Sequence, residues 1–280
     1  MRTEQEMMSI ILSIAKNDER IRAVLMNGSR VNPNVKKDRY QDFDIVYYVQ
    51  ELNSFLADHS WVNAFGERII MQMPDTMSLF PSDWPGFSYL MQFADGNRID
   101  LTLLPLEELE KQSTFDSLSV ILLDKDKLLP PLPKPNEFDY ITKKPTTEEF
   151  LDCQNEFWWV ATYVAKGLKR FELPYAKSMM EGPVRKMLVL ILDWYIGSNH
   201  SFMINTGKDG KWLENYLDKK LWEKFVSTYS NGDYQDIWRG LHTMCSLFEE
   251  ISETVAKKMG YPIFSDYPKV MEYINLLEKQ

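Results

Sequence analysis

The sequence is poor in the residues and motifs that common catalytic sites and scaffolds require. It has two cysteines, Cys153 and Cys245, three scattered histidines, His59, His200 and His242, and no CxxC or HExxH spacing. These counts argue against a disulfide scaffold and a zinc site, and they predict two buried free thiols. The GxSxG signature of serine hydrolases and the GxGxxG and GxxxxGK[ST] nucleotide loops are absent as well. Any chemistry therefore has to come from carboxylates.

Long hydrophobic runs and excess basic charge are also missing. The longest nearly apolar run, Met187 to Leu192, stops at Asp193, far short of the roughly 18 to 20 residues that span a bilayer. The first residues carry no secretory signal pattern, so we expect a cytoplasmic protein without membrane contact. The formal net charge of −9 argues against nucleic-acid binding and suits a cationic partner.

The composition and one proline-rich stretch indicate how the chain is organised. With 44% hydrophobic and 26% charged residues, the chain has the composition of a folded protein. Residues 130–145 hold five of the fourteen prolines, which is typical of a semi-rigid linker. The sequence therefore predicts two domains, residues 1–134 and residues 146–280.

The periodicity of apolar residues differs between the two predicted domains. In the first, residues 3–16 have helical spacing with a capping box at Thr3 and Glu6. Short runs rich in Val, Ile and aromatic residues predict strands, two of them joined by an Asp-Gly-Asn turn: residues 21–26, 44–49, 67–73, 87–93, 98–104 and 119–123. In the second, helical spacing dominates over residues 147–168, 184–196 and 234–259. The predicted class is α+β, with a mixed sheet and helices followed by an all-α helical bundle.

The stretch from the first strand to the second carries the candidate chemistry. Asp42 and Asp44 stand two residues apart at the head of an apolar strand, so their side chains share one face, roughly 6.5 to 7 Å apart. Two like charges there call for a cation, and Mg²⁺ prefers such hard oxygen ligands together with substrate phosphates. Gly28 and Ser29 end the preceding strand and predict a backbone turn that approaches phosphates closely.

A third carboxylate, Asp100, lies on a later strand. Its neighbours Ile99 and Leu101 share the opposite, apolar face of that strand. If this strand lies beside the Asp42 strand, all three carboxylates line one cleft. Such a cluster can bind one or two Mg²⁺ next to a phosphoryl group, and one carboxylate can accept a proton from an attacking hydroxyl.

The order of these elements resembles the nucleotidyltransferase superfamily and its polymerase-β-like palm. A closer resemblance, to the aminoglycoside 6-adenylyltransferases of Gram-positive bacteria, covers nearly the whole chain and is carried by LMNGSRVNPN, QDFDIVYYV, NRIDLTLLPLEEL, VILLDKDKLLPPLP, WWVATYVAKGLKRFELPYAK and VRKMLVLILDWYIG. The resemblance implies an N-terminal nucleotidyltransferase domain and a C-terminal helical substrate-binding domain. It further implies transfer of AMP from ATP to the 6-hydroxyl of streptomycin, release of pyrophosphate, and aminoglycoside resistance.

The resemblance also implies roles for individual residues. Asp42 and Asp44 would bind the metal, Asp100 would be the base, and the nucleotide would contact Gly28, Ser29, Arg30 and Lys166. Guanidinium groups of the drug would require carboxylates. Four acids of the helical half are candidates, and the sequence singles out none of them: Glu172, Glu181, Asp193 and Glu214.

Two alternatives stay open. The carboxylates specify the reaction rather than the acceptor, so the acceptor could be a lincosamide or another aminoglycoside. The fold could also be catalytically silent and serve as a regulatory or toxin-neutralising binding module. Retention of Asp42, Asp44 and Asp100 together argues against a silent fold.

Overall fold

In the computed structural model, which describes residues 1–279, the chain divides into two units between Asp139 and Tyr140. The division falls inside the proline-rich stretch 130–145. The assignment of nucleotide binding to one part and substrate binding to the other stays a prediction. None of the helices in this described part is long and apolar enough to cross a membrane.

The first unit is a mixed six-stranded sheet with helices, as the sequence predicts. Its strands are β1 (Ile21–Asn27), β2 (Phe43–Val49), β3 (Arg68–Gln72), β4 (Phe87–Phe93), β5 (Arg98–Pro105) and β6 (Ser119–Asp124). The strand order is β3-β4-β5-β2-β1-β6. Strands β2 and β5 pair in parallel, while the other neighbours are antiparallel. The helices are α1 (Glu4–Asn17), α2 (Leu52–Leu56) and α3 (Leu106–Lys111).

The main core of this unit lies on one face of the sheet. Alternate residues of β2, including Ile45 and Tyr47, point into it and are buried. Helix α1, which begins with the predicted capping box at Thr3, packs on that face, and the Tyr47 hydroxyl donates to the Ile11 carbonyl at 2.6 Å. Asp44 therefore lies on the opposite face of β2, away from the main core.

The second unit is helical throughout its ordered elements, as predicted. Its helices are α4 (Thr147–Lys169), α5 (Leu173–Met179), α6 (Arg185–Asn199), α7 (Leu213–Tyr216), α8 (Lys219–Val226), α9 (Tyr234–Met259) and α10 (Tyr267–Lys279). The long helices α4 and α9 meet through Phe157 and Phe248, whose rings stack with centroids 3.7 Å apart. Both cysteines are free and buried, which confirms the prediction from their number.

The path of the chain into α6 differs from the prediction. Instead of a helix that starts at residue 184, α5 continues into α6 through a π-helical turn, Met180–Val184, that contains Pro183. Proline has no backbone N–H and its ring crowds the preceding turn, so the helix widens there rather than ending.

We expect Phe248→Ala to destabilise the protein by about 3 to 5 kcal/mol, because it removes a fully buried ring and leaves a cavity. The matched control is Trp159→Ala on α4, whose side chain is 60% exposed; we expect a change within about 0.5 kcal/mol. Urea unfolding followed by circular dichroism measures both. Equal effects of the two substitutions would contradict the assigned core.

Candidate active site

Three carboxylates meet where β2 and β5 begin. Asp42 directly precedes β2, Asp44 is its second residue, and Asp100 is the third residue of β5. The parallel register places Asp44 opposite Asp100, on strands about 4.8 Å apart. The Asp100 strand thus lies beside the Asp44 strand, which is the condition for a shared cleft.

Arg98 is a member of this site whose role was not foreseen from the sequence. Its Nε and Nη2 donate to the two oxygens of Asp100 at 2.7 and 2.8 Å, and its Nε lies 3.6 Å from Oδ2 of Asp42. One guanidinium therefore bridges two of the three carboxylates. The signal was present, because Arg98 and Asp100 are two residues apart in a strand and so share a face.

Among the three carboxylates, the negative charge of Asp44 is the least offset by nearby positive charge. Burial, together with the nearby Asp100 and Asp42 carboxylates, raises the pKa of Asp44 to about 6. Burial also raises the pKa of Asp42, and the Arg98 guanidinium opposes that rise. A cation placed between Asp42 and Asp44 would stabilise both ionised forms.

The residues present fit Mg²⁺ held jointly with phosphate oxygens. Within residues 1–279, no group of three or more His, Cys, Asp or Glu side chains is arranged to hold a metal by itself. Asp42 and Asp44 nevertheless supply two hard oxygen donors in an environment short of positive charge. Magnesium typically uses one or two carboxylates and completes its shell with water and substrate phosphates.

Gly28 lets the turn after β1 lie directly against Asp44. The turn Gly28–Arg30 is a short 3-10 helix, and Gly28 has φ +76°, a left-handed conformation that favours glycine. A Cβ atom at Gly28 would overlap the carboxylate of Asp44. The Gly28 N–H donates to the Leu118 carbonyl at 3.1 Å, which ties the turn to the end of the sheet.

Ser29 and Arg30 belong to the same turn and contact the segment that carries Asp42. The Ser29 carbonyl accepts from Nε2 of Gln41 at 3.1 Å. The buried Arg30 guanidinium donates to the carbonyls of Asp42 and Gln41 at 3.0 and 2.6 Å and lies 3.6 Å from the centre of the Phe43 ring. Arg30 thus supports the backbone of Asp42, and its contact with a phosphate stays a prediction.

The remaining predicted residues lie in the helical unit. Lys166 is on α4, with Nζ 5.8 Å from the Tyr163 ring centre, and its contact with a nucleotide stays a prediction. Of the four candidate acids, Glu181 is paired with Arg185 at 2.5 Å and Lys177 at 3.3 Å. Glu172 and Glu214 are exposed, whereas Asp193 is partly buried and lines a cavity.

Comparison with known proteins matches the whole chain to one family. The family model described as streptomycin adenylyltransferase matches residues 1–277. An aminoglycoside 6-adenylyltransferase from Campylobacter jejuni is 43% identical over 98% of this chain and 95% of its own length. One from Bacillus subtilis (strain 168) is 44% identical, covering 95% and 94%, and one from Staphylococcus aureus is 37% identical, covering 97% of each. A crystal structure of an aminoglycoside 6-adenyltransferase from Bacillus subtilis aligns over both whole chains with 39% identity and a TM-score of 0.50.

We expect Gly28→Ala to destabilise the protein by about 1 to 3 kcal/mol, because it strains the backbone and displaces the Asp44 carboxylate. Gly232→Ala is the matched control, since a Cβ there meets no atom of the described chain within 4 Å; it should be nearly neutral. Thermal unfolding compares the two. A Gly28→Ala variant that is as stable as the wild type would show that the turn does not need glycine.

We expect Asp44→Asn to stabilise the metal-free protein at pH 7.5 by about 1 to 3 kcal/mol. The folded-state pKa of Asp44, about 6, lies above its ordinary value of 3.8, so ionisation favours the unfolded chain. The stability difference between Asp44→Asn and the wild type should shrink as the pH falls from 6 to 4, because Asp44 of the folded wild type becomes protonated and loses its charge over that range. Urea unfolding in EDTA at several pH values measures it, and a gain that grows on acidification would contradict the raised pKa.

Proposed function

Because the chain belongs to the streptomycin adenylyltransferase family, we propose that it transfers AMP from ATP to the 6-hydroxyl of streptomycin and releases pyrophosphate. The observation that supports this most strongly is the placement of Asp42, Asp44 and Asp100 on one face at the head of the parallel pair β2 and β5. Carboxylates so placed suit phosphoryl-group chemistry at a metal-bound nucleotide.

In this proposal Asp42 and Asp44 hold Mg²⁺ together with the triphosphate. The ion, when bound, would neutralise negative charge on the phosphate oxygens. The turn at Gly28 and Ser29 offers backbone with no side chain at its first residue, so a phosphate can approach it closely.

Asp100 is the proposed base. Its carboxylate takes the proton of the acceptor hydroxyl as that oxygen attacks the α-phosphorus of ATP. A new bond forms from the acceptor oxygen to phosphorus, the bond from the α-phosphorus to the bridging oxygen breaks, and pyrophosphate leaves. Arg98 donates to both oxygens of Asp100 and so orients the carboxyl group. Each oxygen has further lone-pair capacity to receive the proton.

The charge of the chain supports a cationic acceptor. A net charge of −9 favours the approach of a polycationic aminoglycoside over that of an anionic acceptor. Because ATP is the proposed co-substrate, we expect the reaction to take place in the cytoplasm. Modification of the drug there would confer aminoglycoside resistance.

Mass spectrometry of streptomycin after incubation with the protein, ATP and Mg²⁺ tests the proposed reaction. We expect the drug to gain one AMP, and we expect EDTA to prevent the gain. Parallel reactions contain a second aminoglycoside and a lincosamide. If one of these compounds gains AMP and streptomycin does not, the proposed acceptor is wrong, while the proposed adenylyl transfer stands. Failure to bind ATP at all would instead favour a silent binding module.

For Asp100→Asn we expect kcat to fall by roughly 10²- to 10⁴-fold while ATP affinity is kept, because a base is lost and the proposed metal ligands remain. Isothermal titration with ATP and Mg²⁺ and a steady-state assay measure the two quantities. Asp83→Asn, an exposed acid of the same unit, is the control and should leave both unchanged. Loss of ATP binding in Asp100→Asn would make Asp100 a ligand instead of a base.

A further inference from the structure

A cavity of about 810 Å³ lies within the helical unit. It is lined by α4, by α6 and by the chain segments that precede α4 and follow α6. Leu190 and Trp194 of α6 form part of an apolar wall, and Thr206 contributes a hydroxyl. Cavities of roughly 300 to 1,000 Å³ with apolar walls and a few polar groups are the usual binding sites of small molecules.

Asp193 is the most buried charged residue of this cavity. The Thr206 side chain hydrogen-bonds its carboxyl group. The other oxygen, Oδ1, is buried, and within residues 1–279 nothing hydrogen-bonds it. Burial raises the pKa of Asp193 to about 6. An ionised carboxylate that is partly buried with one oxygen lacking a hydrogen bond lowers the stability of the folded chain. A cation in the cavity would offset that loss of stability.

The other charged residues of the cavity are exposed. Asp152 and Glu156 stand one turn apart on α4, where they share a face. The lysines of the lining lie on the two chain segments and are exposed as well: Lys143, Lys144 and Lys208. An anion drawn in by these lysines would have to face Asp193 in the interior, whereas a cation would meet carboxylates both at the opening and inside.

We infer that this cavity binds the cationic ring of the acceptor, a guanidinium- or ammonium-bearing cyclitol, with Asp193 as its main carboxylate. Asp152 and Glu156 would contact a second cationic group at the opening, and Thr206 would bind a ring hydroxyl. A cationic group in the cavity would offset the charge of the Asp193 carboxylate. The inference rests on the proposed function for the identity of the ligand, and it selects Asp193 among the four candidate acids.

Isothermal titration of the full-length protein without ATP tests the site, with streptomycin and with streptidine, its di-guanidinylated ring alone, as probes. We expect Asp193→Asn to raise the Kd of both probes at least tenfold, because it keeps the shape of the side chain and removes its charge. The double variant D152N/E156Q, on exposed positions that folding tolerates, should raise the Kd by about threefold. Glu148→Gln, an acid of the same helix outside the cavity, should leave it unchanged.

The outcomes separate this inference from the proposed reaction. Unchanged affinity in Asp193→Asn would overturn the inference, whatever the double variant does and even if the wild type adenylylates streptomycin. Streptidine binding that weakens in Asp193→Asn would support the site even if no AMP is transferred. Absence of binding of either probe to the wild type would overturn the site. If Asp193→Asn does not fold, an unchanged Kd in the double variant alone would overturn the proposed contacts.

Discussion

Electrostatic repulsion among three carboxylates, offset in part by the guanidinium groups of Arg98 and Arg30, is the interaction on which the candidate active site depends. The pairing of β2 with β5 brings Asp44 and Asp100 onto neighbouring strands, and Arg98 bridges Asp100 and Asp42. Asp44 is partly buried, and within residues 1–279 no Lys or Arg forms an ion pair with it, although the charges of Arg98 and Arg30 act on it from a greater distance. The folded chain thus keeps a local deficit of positive charge that a substrate-borne cation can fill, at a cost in stability.

The rest of the first unit supports this unfavourable charge arrangement. The apolar face of β2 buries Ile45 and Tyr47 against α1, so the strand is held firmly by the side opposite the carboxylates. Arg30 anchors the backbone of Asp42, and Gly28 lets the neighbouring turn approach Asp44. Hydrophobic burial on one face therefore provides the rigidity that charged groups on the other face need.

Sequence periodicity predicted much of this arrangement, because the face on which a strand residue lies depends on its position among its immediate neighbours in the chain. The alternation around Asp44 and Asp100 indicated their faces, and the Asp-Gly-Asn turn indicated the hairpin. The ion pair between Arg98 and Asp42 could not be predicted from the sequence, because only the pairing of β5 with β2 brings Arg98 close to the residue that precedes β2. The π-helical turn at Pro183 was also missed, because a proline in a sequence ordinarily indicates a helix end. Asp193 became distinctive only through its surroundings, as its neighbours in sequence resemble those of any buried helix.

The hairpin between β4 and β5 has a consequence for how the chain can change in length. It pairs Gln92 with Arg98 and Leu90 with Asp100, which sets which residues of β5 face the cleft. Loss of one residue between these strands, where it shifts β5 by one position against β4, would exchange the two faces of β5, placing Ile99 in the cleft and Asp100 on the side of the apolar core. A one-residue shift of β5 against β4 would therefore take apart the carboxylate cluster, although the change lies in a loop and loops are otherwise the most variable parts of proteins.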